Sequence, residues 1–128
     1  MGYYMNQRES NFFIPKEKTE DVFKAIKEGP EKDHPWVNSS EVKEATNLTE
    51  ALEVWRWSPQ FDKQGNVEAL WFNGEKSGND MVLFAMIAPF VKEKSFIEMS
   101  GEDGGIWRFC FDGEICFEDY PTITWSYS

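Results

Sequence analysis

Apolar positions in "GYYMNQRESNFFIP" come at both ends, Tyr3 and Tyr4 and then Phe12, Phe13 and Ile14, around a polar middle and before a proline. That pattern predicts a strand of modest regularity. The period then changes. In "KEKTEDVFKAIKEGP", Val22, Phe23 and Ile26 recur at helical spacing among Glu and Lys, and Gly29 with Pro30 supplies a stop. From Glu31 to Asn47 the chain is polar and punctuated, which predicts a connecting loop with room for a turn of helix after Asn38. Asn47 stands three residues before Glu50, a capping-box spacing. Leu48, Ala51, Leu52 and Trp55 follow at i, i+3, i+4 and i+7, the best-marked short helix in the chain.

Beyond Trp57, "SPQFDKQGNVEALWFNG" reads as a hairpin: a short first arm, the turn residues "DKQGN", and a strand from about Val67 to Asn73. In "SGNDMVLFAMIAPFV", Asn79 is placed to cap a helix. Met81, Phe84, Ala85 and Ala88, or Leu83, Ile87 and Val91, form two overlapping apolar stripes. A helix apolar nearly all round is expected at the centre, against a sheet. The last third, "KSFIEMSGEDGGIWRFCFDGEICFEDYPTITW", reads as three strands joined by "GEDGG", by "DG" and by the Pro121 region.

The elements run β-α-α-β-β-α-β-β-β, an α+β fold with helices on one face of a mainly antiparallel sheet. A ferredoxin-like split βαβ core with additions is one wiring that fits. The middle hairpin of the last third has two readings. A two-residue Asp112-Gly113 turn pairs position 111 with 114, whereas a longer loop pairing 111 with 115 gathers Phe109, Phe111, Ile115 and Phe117 on one face. Burial favours the longer loop, since each large apolar group removed from water is worth roughly 1.5–3 kcal/mol. In that register Cys110 and Cys116 become cross-strand neighbours, expected as reduced thiols, and Arg108 faces Glu118.

At 128 residues, with 41% apolar and 16% aromatic residues, the chain reads as one domain, 1–128, able to bury a core unaided. Charge narrows the partners. Thirteen basic against twenty-three acidic residues give a net −10, which argues against direct binding of nucleic acid or an anionic membrane. From Ser95 onward there are seven carboxylates and one base, Arg108. The longest apolar run, "MVLFAMIAPFV", has 11 residues and contains Pro89, and no basic-then-apolar leader opens the sequence. A soluble, cytoplasmic protein is expected.

Specific chemistry is sparse. The single histidine, His34, has no identifiable nucleophile or orienting acid and reads as a loop residue. Two cysteines cannot supply a structural zinc site, so no metal and no cofactor is expected. "FNGEKSGND" is a glycine-rich strand-to-helix loop but lacks the Walker spacing before Lys76 and Ser77. "DKQGN" lacks the alternating acids of an EF-hand. The acid pairs Glu102-Asp103 and Glu118-Asp119 sit on neighbouring strand positions and so point apart. Trp55 and Trp107 fit core positions, and Trp36 with Trp125 is the more exposed pair.

The stretches "MGYYM", "FFIP", "IAPFV", "FIEMSGEDGGIWRFCFDG" and "TITW" resemble a small-protein family of bacteria and their phages or prophages, with a late GEDG-x-x-W-R-x-x-F pattern and no activity attached to it. The resemblance implies a bacterial or phage source and a compact α+β fold, and it carries over no catalytic residue. The leading functional expectation is a non-enzymatic, acidic binding protein. Its C-terminal sheet would offer Glu98, Glu102, Asp103, Glu114, Glu118 and Asp119, with Arg108 among them, to a basic protein surface in the manner of a nucleic-acid mimic or an inhibitor. That expectation requires the acids to form one exposed patch. A competing reading is a small-ligand binder or enzyme with a pocket near Lys76, Ser77 and Trp107. A third is a self-associating subunit with an apolar patch of Trp36, Trp125 and Tyr127.

Overall fold

The computed structural model describes residues 2–29 and 34–122. Its elements are β1 (Met5–Asn11), α1 (Thr19–Lys27), α2 (Ser39–Glu44), α3 (Leu48–Val54), β2 (Trp57–Phe61), β3 (Val67–Phe72), α4 (Asp80–Ile87), β4 (Phe96–Gly101), β5 (Ile106–Phe111) and β6 (Cys116–Asp119). The fold is α+β, and α2 is the turn of helix after Asn38. Among the described residues no helix is long and apolar enough to cross a membrane.

Helix starts follow local chemistry where a side chain can reach its own backbone. Asn38 Oδ1 accepts from the N–H groups of Ser40 and Glu41 at the start of α2. Asn47 Oδ1 accepts from Glu50 N at 2.8 Å, while Glu50 reaches back to the Thr46 N–H. These contacts satisfy the orphan donors of a first turn, as the spacing leads one to expect. Asn79 behaves otherwise. Its amide lies 2.9 Å from His34 Nδ1 and does not cap α4.

The strands form two antiparallel sheets, one in the order β1-β4-β5-β6 and one made of β2 and β3 alone. This corrects the ferredoxin-like wiring, in which the strands would interleave in a single sheet. The β2–β3 hairpin closes on its own turn, where Asp62 Oδ1 accepts from Gln64 N and Asn66 N and Gly65 takes φ +91°. Its contact with β1 runs through a side chain. Gln7 Nε2 donates to Leu70 O at 2.9 Å and Gln7 Oε1 accepts from Phe72 N at 2.7 Å, so one amide stands in for a ladder step. Beyond it, Ile14 and Val67 exchange two backbone bonds of 2.9 Å.

Helix α4 lies between these two units. Phe84 meets Trp57 of β2 at 5.1 Å and Phe109 and Phe111 of β5 at 4.8 and 5.8 Å between ring centroids. The apolar wrap of "MVLFAMI" is therefore the sequence of a helix packed on both sides. Ile97, Met99, Phe109 and Phe111 are buried on the sheet's inner face, and Phe96, Glu98, Arg108 and Cys110 alternate with them on a half-exposed outer face.

The β5–β6 register corrects both sequence readings. Phe111 pairs with Cys116 and Arg108 with Asp119, leaving a four-residue loop. Asp112 is the reason: its Oδ1 accepts from Glu114 N and Ile115 N at 2.9 and 2.8 Å, and Gly113 takes φ +97°. Ile115 and Phe117 stay 57% and 42% exposed, so local turn chemistry outweighs the burial they would have gained. Cys110 and Cys116 are then free thiols on opposite faces, and burial pushes the Cys116 thiol up to about 12. The same bonds hold the Asp112 carboxyl below its ordinary range. A lowered folded pKa adds stability at neutral pH that disappears as pH falls through it. Amide exchange at Phe117 and Asp119, whose N–H groups face β5, should be faster in Asp112→Ala at pH 7, and the gap from the parent should close on acidification. A gap that persists in acid means that another feature sets the turn.

Candidate functional site

The β4–β5 turn and the N-terminal segment build one wall of a cleft together. Asp103 Oδ1 accepts from Gly105 N at 2.9 Å and from the Tyr3 hydroxyl, and Gly104 takes φ +87°. Next to it, Glu102 Oε1 accepts from Tyr4 N and Glu102 N donates to Tyr4 O, both at 3.0 Å. The Tyr3 ring crosses the chain at Gly101, where any Cβ would overlap the phenol. The glycine at the end of β4 thus leaves room for the approaching ring, while the left-handed position of the turn falls at Gly104.

The opposite wall is the loop Ser77–Asn79 and the first turn of α4. The floor is Met5, Phe109 and Trp107, and β6 and its continuation contribute Glu118 and Tyr120. The cleft, open to solvent on one side, has a volume of about 540 Å³, within the range of small-ligand sites. Under the loop, Asp80 is buried at 3% exposure. It accepts from Trp57 Nε1 at 2.9 Å and Gly78 N at 3.0 Å, and pairs with Arg56 at 3.3 Å. That carboxylate fixes the loop from beneath.

Two acids on this cleft each carry a phenol. Tyr3 bonds Asp103, and the Tyr120 hydroxyl donates to Glu118 Oε2 at 2.6 Å. The bonds from Tyr3 and then from Gly105 N hold the Asp103 carboxyl below its usual range, and the bonds to the acids push both phenols up. At neutral pH Asp103 is therefore an anion and the tyrosines are neutral donors. The Trp107 ring lies 6.2 Å from Tyr3 and edge-on to Phe109 at 6.4 Å. Negative charge beside flat aromatic faces suits a cationic group, by Coulomb attraction and by the ring quadrupole.

The six acids and one base expected to make one patch fall in several places. Asp103 and Glu118 line the cleft. Glu98 has 13% of its side chain exposed and is held by Arg108 at 2.9 Å and Arg8 at 3.4 Å, so Arg108 pairs with Glu98 and not with Glu118. Arg108 also lies 4.0 Å above the Phe96 ring and is the cross-strand neighbour of Asp119. Glu102 is tied to Tyr4, and Glu114 stands at the far turn of the β5–β6 hairpin. Of the pocket residues named from sequence, Ser77 and Trp107 line the cleft. Lys76 faces elsewhere, with its ammonium 4.9 Å from the Tyr4 ring and 5.7 Å from Trp36.

Sequence reasoning missed Tyr3 and Tyr120. Trp36 is 52% exposed, whereas Trp125 and Tyr127 lie outside the described residues. Trp55 is a core residue at 1% exposure, and its ring stands 5.4 Å from that of His34. Among the described residues no group of three or more His, Cys, Asp or Glu side chains could hold a metal ion. Comparison with protein families, with curated proteins and with solved structures finds no match to this chain.

Proposed function

We propose that the protein acts by binding, and that the cleft between the β4–β5 turn and α4 receives a cationic group carried on a basic protein. The observation that carries this reading is the pair of phenol-bonded carboxylates, Asp103 and Glu118, lining the same 540 Å³ space as Trp107. The excess of acid from Ser95 onward supports it, because that field draws a basic surface toward this end of the chain.

Titration with N-acetyl-arginine amide, followed by the Trp107 indole resonance, tests the reading. The uncharged N-acetyl-citrulline amide serves as the isosteric control. Arginine amide should shift Trp107, and citrulline amide should not. Asp103→Asn and Glu118→Gln should each weaken binding by about threefold to fivefold, the size expected for a solvent-screened ion pair. Equal binding of both probes, or none of arginine amide, overturns the reading.

A further inference from the structure

Among the described residues the outer edge of β6 is an open strand edge. Phe111 N donates to Ser95 O and Lys94 N donates to Phe111 O, so the Phe111 backbone faces β4. Alternation then turns Cys110 and Arg108 toward β6, where they pair with Phe117 and Asp119. The N–H and C=O groups of Cys116 and Glu118 are left on the outer edge. Among the described residues no strand lies there.

Other edges in this fold are closed or defended. The outer side of β1 is stitched by Gln7 to β3, and Met5 N donates to Glu75 O while Ser77 N donates to Tyr3 O. Strand β2 carries Pro59. Strand β6 has no lysine, no proline and no bulge, the usual defences of an edge. It also presents Phe117, 42% exposed, beside an outer-face groove of about 380 Å³ formed with Phe96 and Cys110. Its exposed charges, Glu118 and Asp119, are both acidic, as is Glu114 in the loop before it.

We infer that β6 takes up an extended segment of a basic partner protein as a fifth strand, with arginine or lysine at alternate positions and apolar residues between them. Charge selects this occupant over a second copy of the chain. Two β6 strands side by side would bring Glu118 and Asp119 of each against the other, in a protein of net charge −10. The faces fit the alternation as well. Glu118 is paired with Phe109 on the cleft side, and Phe117 with Cys110 on the outer side. One face of an added strand would set its cations toward Glu118 and the cleft, and the other would lay apolar side chains along Phe117. Two outward residues give only about four backbone bonds, so both faces are needed.

The inference rests on the cationic reading of the cleft, and its test separates the two. The probe is a blocked heptapeptide alternating valine and arginine, used alongside the same peptide N-methylated on its backbone and a valine–glutamate counterpart. The unmodified peptide should bind at least about tenfold more tightly than arginine amide, N-methylation should abolish that gain, and the acidic peptide should not bind. Glu118→Pro removes the outward N–H but leaves the ladder to β5 intact, and should lose the gain that Glu118→Gln retains in part. Equal binding of the methylated and unmodified peptides overturns strand addition while leaving the cleft reading in place. Self-association that Glu118→Pro abolishes, seen by sedimentation, also overturns it. Failure of arginine amide alone counts against the cleft reading and not against the strand.

Discussion

Asp80→Ala is expected to lower the free energy of unfolding by about 3–5 kcal/mol, the cost of leaving a buried charge without its partner. The carboxylate is 3% exposed and the Arg56 side chain 14%, so solvent cannot replace what is lost. Arg56 would keep one bond, from Nη1 to Lys76 O at 2.5 Å, and its Nε has no partner among the described residues. Trp57 Nε1 would become a second buried donor without an acceptor. Asp80→Asn is the informative control. Trp57 Nε1 and Gly78 N donate to different oxygens of Asp80, so the single amide oxygen of asparagine keeps one of these bonds, and its deficit, the ion pair plus the other bond, should be smaller. Denaturant midpoints with unchanged slopes would establish both values. A loss below about 1 kcal/mol for the alanine variant would mean that the pair contributes no more than a surface salt bridge. Gly78 lines the cleft, so Asp80→Ala should also weaken the arginine amide shift at Trp107.

What was legible in the sequence tracks how local each interaction is. The Asn47 cap and the Asp62–Asn66 turn join residues within four positions of one another, and both appear as read. Asn79 carried an equally good cap signal, but it took a partner 45 residues away, His34, whose position no local pattern could reveal. The β5–β6 register went wrong for a related reason. Counting buried apolar groups treats Ile115 and Phe117 as free to choose a face, whereas the Asp112 side chain had already set the loop length. On the candidate site, Ser77 and Trp107 were named because a glycine-rich loop and a tryptophan are visible one at a time. Tyr3 and Asp103 are 100 residues apart, and nothing in either neighbourhood couples them. The one available hint was Gly101 at the end of a strand, a position that asks which bulky group approaches.

The other large effect belongs to Phe84→Ala, for which a loss of about 3–5 kcal/mol is expected. Phe84 is fully buried, and three of its neighbours are rings on two different sheets: Trp57 on one side, Phe109 and Phe111 on the other. Collapse around the cavity is the usual relief for such a deletion, but here it would require the two sheets to move together. The β2–β3 hairpin is held to β1 by Gln7 and the four-stranded sheet by its own ladders, so relaxation is restricted and the cost should fall toward the upper end. Phe84→Leu keeps most of the volume and should cost roughly 1–2 kcal/mol. Coupling distinguishes a shared core from two separate ones. In a double-mutant cycle, Phe84→Leu with Trp57→Phe should show an interaction energy of at least about 0.5 kcal/mol, and so should Phe84→Leu with Phe109→Leu. Additivity in the first cycle alone would place the hairpin outside the cooperative core. Asp80 would then hold the cleft loop to an element that opens independently of the sheet carrying Trp107.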